Sequence, residues 1–599
     1  MRKQHFLFAP LVLSLLASGS PALGDPLLPE VAHVAWQYSY SPGTMYNQAE
    51  LWDLGFYPDG TLLVVGQRSE PDSISAVGIR LNPDTGRVLD TPPEWFLFEN
   101  TWGDYAWDLF RAVVIDDRGN VFLAGSSYAE RFNTWSVRYN VPNVWAYPWD
   151  YENDGTPDRP TWRSYYKNPE ARYSDYTRGE YLDLARADDG SLFAVGWVTS
   201  PTNLADRNWI IDKFDADGQR MEGFPLFYDA RGLYDYAHRV ALDSQGNLVV
   251  IGQVQRLTVD TLVRKYQPDG TLLWEMEIDS GGDDAPWGLA IDSNDDILVV
   301  GQGKAAPDRS DIDWHLFKLA AEGDGQGGGQ MIWEQFWDDG NLKDGLAQGI
   351  ALDRHDNLYV VGRQMRDSDD PAYTNRYRPV VQYRDGRTGQ LLNDQSIILS
   401  PTPNDQPAEE HDVLHTLALR DRHLAIVGYT IQDGPSLLVG KSTGRVVMLD
   451  LNELSVDIRG GGGLSSDPAG IERGCDNPCK DYLPTGFEIT LQPVLGEYWT
   501  EGSWTWGGAC SGSDVPCTLI MNGDWQATLD FQCRKLTLPD TLGQVRGEQT
   551  WRCAEVAVPG ALVIAETAKV RLEAENGVTL GPGFRVERGA ELAVGLFGT

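Results

Sequence analysis

The stretch YAHRVALDSQGNLVVIG, residues 236–252, decides the fold of this chain. An apolar segment ends at Asp243, a polar turn follows, and an almost unbroken apolar run leads to Gly252. Turn residues between two apolar runs predict a β-hairpin. Seven units share this pattern, and they close at Gly66, Gly125, Gly196, Gly252, Gly301, Gly362 and Gly428.

Each unit also has a second half, such as TLVRKYQPDGTLLWEMEID at residues 261–279, which predicts another hairpin. The closing glycines are 49 to 71 residues apart, a spacing that suits one four-stranded propeller blade with variable loops. The second strands are apolar at nearly every position, whereas the fourth strand alternates from Trp274 to Ile278, as an outer strand should. We therefore expect an all-β fold, a seven-bladed β-propeller over residues 25–452 followed by small disulfide-stapled β modules.

The last unit lacks an obvious fourth strand. The segment HVAWQYSYSPG, residues 33–43, has the alternation expected of that strand, with Trp36, Tyr38 and Tyr40 at every second position. Ring closure removes exposed sheet edges, which otherwise invite aggregation. The sequence therefore predicts that the N-terminal segment completes the seventh blade.

These units resemble the seven-bladed propeller repeats of bacterial exported proteins and the related delta-60 repeats. The shared pattern is close in the units that end at Gly252, Gly301 and Gly362, and looser at Gly66 and Gly428. The resemblance implies a fold and leaves the activity open, because propellers bind, scaffold and catalyse.

The first 24 residues have a basic start at Arg2 and Lys3, an apolar core and small residues before Asp25, which predicts a cleaved signal peptide. No later segment is apolar enough to predict a membrane span. A formal charge of −38 argues against a nucleic-acid partner, since phosphate binding needs clustered Lys and Arg. We expect a protein that is secreted, periplasmic or on the cell surface.

All six cysteines follow residue 470, and an even count in an exported chain favours disulfides over zinc. Six cysteines allow 15 pairings. The spacing favours the local pairs Cys475–Cys479, Cys510–Cys517 and Cys533–Cys553.

The segment SWTWGGACSGSDVPC, residues 503–517, lies in a region that resembles a divergent internalin B-type bacterial repeat. Residues 534–599, with LGPGF in the middle, resemble the three-coathanger stack found at the C-termini of exported bacterial proteins. The two resemblances imply β modules over residues 453–533 and 534–599, of kinds that usually act in interactions or as stalks.

The loops that enter the innermost strands converge on the central channel of a propeller. The residues fourteen positions before each closing glycine form a mixed candidate ligand ring, with packing against the next blade as the alternative. They are Trp52, Arg111, Leu182, His238, Trp287 and Gln348, with His415 or Leu414 in the shortened last unit.

The longest unit, between Gly125 and Gly196, contains an aromatic segment with an acidic loop. Trp145, Trp149 and Tyr151 form a candidate ligand-facing surface, with burial against neighbouring blades as the alternative. The loop has the alternating oxygen ligands of a calcium loop but lacks the glutamate at the twelfth position, so a solvated acidic turn is the alternative. Its candidate ligands are Asp150, Glu152, Asp154, Thr156 and Asp158.

The chain has no nucleophile elbow, Walker loop or dinucleotide fingerprint in a suitable context. The first functional hypothesis is therefore an exported recognition, adhesion or scaffold protein that binds an extracellular ligand, a glycan or a protein, through propeller loops. The alternative is an extracellular hydrolase or lyase that acts on a polysaccharide or small molecule at the channel mouth. Two carboxylates in one pocket would favour the alternative.

Overall fold

A computed structural model of the chain describes residues 32–596, apart from 41–47, 70–73, 90–107, 130–138, 148–160, 167–177, 338–343, 366–376, 397–409, 433–440, 468–476, 539–543 and gaps of one to three residues. Within these ranges the chain is all-β, and no helix is long and apolar enough to cross a membrane. The first strand is β1 (His33–Tyr40).

Up to Asp450 the described strands form seven antiparallel sheets. The first three contain β2 (Ala49–Phe56), β3 (Leu62–Ser69) and β4 (Ile74–Leu81); β5 (Asp108–Ile115), β6 (Val121–Ala129), β7 (Tyr139–Tyr147) and β8 (Trp162–Tyr165); and β9 (Gly179–Arg186), β10 (Leu192–Thr199), β11 (Arg207–Phe214) and β12 (Leu226–Tyr228). The next two contain β13 (Tyr236–Leu242), β14 (Leu248–Gln255), β15 (Val259–Tyr266) and β16 (Leu272–Ile278); and β17 (Ala285–Ile291), β18 (Ile297–Gly303), β19 (Asp313–Leu319) and β20 (Met331–Trp337). The last two contain β21 (Gly345–Leu352), β22 (Leu358–Met365), β23 (Tyr377–Arg384) and β24 (Leu391–Ser396); and β25 (Glu410–Arg420), β26 (His423–Gln432) and β27 (Lys441–Asp450) with β1.

The seven sheets follow one another in a closed ring. The first strand of each sheet contacts the first strands of the two flanking sheets, and β25 contacts β2 to complete the circle. The second strands are buried on both faces, as Val249, Val250 and Ile251 of β14 show. This arrangement is propeller-like, with β2, β5, β9, β13, β17, β21 and β25 around the axis.

The N-terminal strand closes the ring, as the sequence predicted. β1 runs antiparallel to β27, with Val34 opposite Leu449 and Trp36 opposite Met448. The indole nitrogen of Trp36 also donates to the carbonyl oxygen of Pro83, which follows β4 in the first sheet, at 2.6 Å. The first and last strands of the ring region in sequence therefore belong to one sheet.

A β-bulge explains why every unit closes with glycine. In the fourth sheet Ala237 pairs with Gly252 and Arg239 with Ile251, so that His238 has no opposite residue. A Cβ atom on Gly252 would lie 2.0 Å from the carbonyl oxygen of Tyr236. The other six closing glycines have the same restriction, at 1.8 to 2.2 Å, because the bulge brings the two backbones together.

After Asp450 the chain forms a second region with two kinds of sheet. Its strands are β28 (Asn452–Arg459), β29 (Gly463–Asp467), β30 (Cys479–Leu483), β31 (Glu488–Val494), β32 (Trp499–Gly508), β33 (Gly512–Ser513), β34 (Cys517–Ile520), β35 (Trp525–Thr537), β36 (Gln544–Val545), β37 (Glu548–Val558), β38 (Val563–Ile564), β39 (Lys569–Leu580), β40 (Arg585–Val586) and β41 (Glu591–Leu596). β35, β37, β39 and β41 are parallel neighbours in one sheet, and β36, β38 and β40 are parallel neighbours in another. The predicted boundary between residues 533 and 534 lies inside β35.

Two of the predicted disulfides are present. Cys510 is bonded to Cys517, and Cys533 to Cys553. Cys479 is also disulfide-bonded, and its predicted partner Cys475 lies outside the described residues. The cysteine predictions that the structure can test are therefore confirmed.

The second region docks on the turns of the sixth sheet, at the end of the ring axis away from the closing glycines. The buried carboxylate of Asp481 lies 2.7 Å from His355 Nε2 and 3.0 Å from an Arg354 guanidinium nitrogen. Phe487 packs edge-on against the buried ring of Tyr383, with 5.8 Å between centroids. We call this contact the joint.

Candidate functional site: the channel mouth

The predicted ligand ring coincides with the seven β-bulges. Each bulge leaves one residue of the innermost strand without an opposite residue, directly after the residue that pairs with a closing glycine. In the last unit the bulged residue is His415 rather than Leu414, because Leu414 pairs with Gly428. We call these seven residues the mouth ring: Trp52, Arg111, Leu182, His238, Trp287, Gln348 and His415.

One arc of the mouth ring joins four blades. The guanidinium carbon of Arg111 lies 3.8 Å from the centre of the Trp52 ring, and Trp52 lies 4.3 Å from His415 between ring centroids. The amide nitrogen of Gln348 donates to His415 Nδ1 at 3.2 Å. These contacts pack the ring residues of neighbouring blades against one another, and binding of a ligand by the ring stays a prediction.

A second arc contains His238 and Trp287, with ring centroids 4.5 Å apart. His238 Nε2 donates to the side-chain oxygen of Gln253 at 3.1 Å. Burial lowers the pKa of His238 to about 4; the hydrogen bond to Gln253 opposes this shift, and the charge of Arg239 adds to it. The imidazole is therefore neutral near pH 7.

Positive charge surrounds the other ring histidine. Burial lowers the pKa of His415 well below its usual value, and the charges of Arg111, Arg239 and Arg363 lower it further. Three guanidinium groups therefore act on a neutral imidazole at this end of the channel.

A cavity of about 140 Å³ lies on the axis beside the mouth ring. Two arginines and two aspartates, Arg111, Arg239, Asp53 and Asp183, supply its charged groups. The rest of its wall is small or apolar, with Gly288, Leu289, Gly349, Ile350 and Thr416. Positively charged hydrogen-bond donors and carboxyl acceptors thus line one small cavity.

The two aspartates link successive blades. Asp53 accepts a hydrogen bond from the backbone nitrogen of Val113, and Asp183 accepts one from that of Val240, each at 2.8 Å. Burial and the neighbouring Asp183 carboxylate raise the pKa of Asp53 to about 7. Burial also raises the pKa of Asp183, although Arg239 opposes this shift. The Asp53 carboxyl is therefore placed to exchange a proton near neutral pH.

Sequence reasoning missed Asp53, Asp183 and Arg239. Each directly follows a mouth-ring residue inside an innermost strand, in LWDLGF, YLDLAR and HRVAL. A charged residue inside an innermost strand was the available signal, since such a residue is buried only with partners.

Several buried polar atoms of the mouth ring have no hydrogen-bond partner within the described part of the chain. They are the indole nitrogens of Trp52 and Trp287, the side-chain oxygen of Gln348 and His415 Nε2. Each unsatisfied buried group costs about 1 to 3 kcal/mol. The mouth ring is therefore a packed layer of polar side chains in which several buried atoms lack a hydrogen bond.

Trp145 does not face a ligand surface, so this part of the prediction is wrong. It lies on β7 opposite Leu123, is fully buried, and packs against Phe110 with 5.3 Å between centroids. The aromatic segment of this unit supplies β7 and β8 of the second sheet. Trp149, Tyr151 and the candidate calcium ligands at 150–158 lie outside the described residues.

One acidic group elsewhere in the described ranges brings oxygens together. Carboxylate oxygens of Asp260, Asp279 and Asp284 lie within 4.8 Å of one another. Both oxygens of Asp284 accept hydrogen bonds from Ser280, at 2.6 and 2.8 Å. Desolvation raises the pKa of both Asp260 and Asp284. Hydrogen bonds from the protein thus already engage part of this group.

No family model and no curated protein sequence matches the chain. Among solved structures, it is similar to a protein of unknown function from Dyadobacter fermentans, with 9% identity and a TM-score of 0.37 over 70% of this chain and 99% of that one. An ulvan lyase has 10% identity and a TM-score of 0.39, over 68% and 95% of the two chains. The extracellular domains of Drosophila semaphorin 1a have 11% identity and a TM-score of 0.35, over 69% and 87%. Similarity at this level carries no information on activity, and the propeller-like fold rests on the sheet topology.

Proposed function

We propose that the chain is an exported seven-bladed β-propeller protein that recognises a hydroxylated ligand, a glycan, at the channel mouth. The observation that carries this proposal is the axial cavity, where Arg111 and Arg239 converge with Asp53 and Asp183. Sugar hydroxyls both donate and accept hydrogen bonds, so they complement a wall of guanidinium donors and carboxyl acceptors.

The mouth ring supports the same proposal. A ligand that entered this layer would offer hydrogen-bond partners to the indole nitrogens of Trp52 and Trp287. Export fits the two disulfides, because such bonds persist in oxidising compartments.

The test is a glycan-binding screen on the exported protein, followed by titration of the best ligand against Arg239→Gln. We expect at least a tenfold loss of affinity, since the variant removes one cavity donor. Arg256→Gln, which breaks a surface ion pair of 2.7 Å with Glu277, is the matched control and should bind as the wild type does. Equal affinity of a folded Arg239→Gln variant and the wild type would refute the proposal.

The second candidate function is a hydrolase or lyase that acts on a polysaccharide at the same place. The Asp53 and Asp183 pair favours it, because a carboxyl with a pKa of about 7 can act as general acid or base at neutral pH. Asp53→Asn should then abolish product release from the bound glycan while leaving affinity unchanged. Binding without turnover in the wild type would exclude this candidate and keep the first.

The C-terminal region and the acidic loop belong to the proposal as accessory parts. We infer an internalin B-type module over 453–533 and a coathanger-like stack over 534–599 that serve in attachment or as a scaffold. We also infer that the loop at 150–158 binds calcium. A chelator should then lower the melting temperature, and an unchanged melting curve would refute calcium binding.

A further inference from the structure

A buried ion pair recurs at the turn end of neighbouring blades. In the fourth sheet the ammonium of Lys265 lies 2.9 Å from the carboxylate of Asp243. In the fifth sheet that of Lys318 lies 2.5 Å from Asp292. All four residues are buried, so each lysine charge is matched by a carboxylate of its own blade.

The third sheet keeps the lysine and lacks the carboxylate. Lys213 pairs with Phe193 of the second strand, just as Lys265 pairs with Val249. The first residue of the turn is Ala187, whose nitrogen donates to the carbonyl oxygen of Ser191 at 2.8 Å. In the fourth sheet Asp243 makes the equivalent backbone hydrogen bond at the start of its turn, at 3.0 Å. Ala187 therefore occupies the position of the missing aspartate.

The ammonium of Lys213 is nevertheless buried, with 8% of the residue exposed. It donates to the carbonyl oxygen of Pro268 at 2.9 Å and lies 4.7 Å from the centre of the Phe193 ring. It forms no ion pair with any carboxylate that the structure describes. Its direct contacts are uncharged, and a buried ammonium without a paired carboxylate favours a nearby anion.

Space for an anion lies beside it. Lys213 and Ala187 line a cavity of about 530 Å³ between the third and fourth sheets. Arg186 lines the same cavity, and its Nε is buried without a hydrogen-bond partner in the described chain, while one terminal nitrogen lies 3.8 Å from Asp116.

Three acidic residues also line the cavity. Asp189 accepts hydrogen bonds from the nitrogen and the hydroxyl of Ser191, at 2.8 and 2.6 Å. Asp243 is paired with Lys265, and Asp188 is exposed on the turn. Two of these three carboxylates are therefore already engaged. The hydrogen bonds from Ser191 lower the pKa of Asp189. The charges of Lys213 and Arg186 also act on Asp189 and help to lower its pKa, and both side chains keep N–H donors for a ligand.

We propose that this cavity is a binding site for a small carboxylic acid, whose carboxylate takes the position that Asp243 and Asp292 occupy in the next two blades. Lys213 Nζ and Arg186 Nε donate to it, and the remaining volume admits a ring-sized body such as that of a uronic acid. The site lies at the turn end of the blades, away from the mouth ring, and is independent of the function proposed there.

The test is a titration of the full chain, followed by NMR or calorimetry, with acetate, glucuronate and uncharged glucose. We expect saturable binding of glucuronate and acetate, no binding of glucose, and tighter binding of glucuronate if the sugar ring occupies the cavity. Equal affinity for acetate and glucuronate would restrict the site to the carboxylate alone. Absence of saturable binding by either acid would overturn the proposal.

Two variants separate this site from non-specific charge effects. Ala187→Asp restores the internal ion pair and should raise the melting temperature and weaken binding at least tenfold. Lys213→Met should also weaken binding at least tenfold, and it provides the test if Ala187→Asp does not fold. Lys569→Met, which removes an exposed lysine of β39, is the matched control. Wild-type affinity in a folded Lys213→Met protein would overturn the proposal.

Discussion

The ring of sheets and the C-terminal region protect their strand edges by different means. The ring contains no cysteine and closes by pairing β1 with β27, residues that are about 400 positions apart in sequence. The C-terminal region contains local disulfides and contacts the ring through the joint. The comparison teaches that a strand pair and a disulfide both hold strands together, the first between distant parts of the sequence and the second between near ones.

Removal of residues 25–40 should have the largest effect, because it exposes the edge of β27 and strips Trp36 from its partners. We expect a loss on the order of 5 kcal/mol or more, comparable to the whole stability of many domains. Calorimetry would record this loss as a lower melting temperature of the ring. Removal of residues 25–31 alone is the control, and equal stability of the two truncated chains would mean that closure does not hold the ring.

The joint should come next, because Asp481→Ala leaves His355 and Arg354 without their buried partner. Loss of one member of a buried charged pair costs about 3 to 5 kcal/mol. Denaturant unfolding, followed by the fluorescence of the C-terminal tryptophans, would measure it. Arg387→Ala, in an exposed ion pair of 3.6 Å, is the control and should cost less than about 1 kcal/mol.

The joint should also depend on pH. Burial lowers the pKa of His355, but the hydrogen bond and charge of Asp481, with the charge of Asp353, raise it above its usual 6.5. The contribution of His355 is therefore fully present below about pH 6.5 and is lost as the pH rises through the folded-state pKa. Arg354 also acts on this imidazole and opposes the shift. A pH-independent difference between wild type and His355→Gln would contradict this assignment.

The disulfides should matter only to the second region. In the chain-entropy model, loss of Cys533–Cys553 costs about 3 kcal/mol and loss of Cys510–Cys517 about 2.5 kcal/mol, because the second loop is shorter. Paired Cys→Ser variants, compared by calorimetry, would show these losses in the C-terminal transition. A matching loss in the ring transition would mean that the two regions unfold as one unit.

The smallest effect concerns the axial carboxyl. Because the pKa of Asp53 is raised to about 7, the native state holds a proton that the unfolded chain releases, so its contribution to stability falls as the pH rises from about 4 to about 7. Asp53→Asn should be more stable than wild type at pH 8 by about 1 to 2 kcal/mol, and the gain should vanish below about pH 4. Asp269→Asn, on an exposed turn, is the control, and a gain that is equal at both pH values would refute the assignment.

The sequence predicted the repeat, the closing strand and the positions of the mouth ring, because each depends on a pattern that one chain displays by itself. The bulge was not visible in that pattern, and it decides which residues line the axis. The bulge shifts the strand register by one residue, and Asp53 and Asp183 therefore line the cavity together with Arg111. Trp145 was misplaced for a related reason, since a long aromatic segment does not reveal which of its residues form the third strand.

The repeated bulge separates what every blade must keep from what each blade can change. The closing glycine is fixed by backbone contact, whereas the bulged residue next to its partner has no opposite residue and varies among the blades: Trp, Arg, Leu, His, Trp, Gln and His. The chain thus has seven variable positions around one axis, in a framework of strand pairing that does not depend on the residue at each position. The chemistry of the mouth can therefore change by substitution at these positions without a change in the strand pairing of any blade.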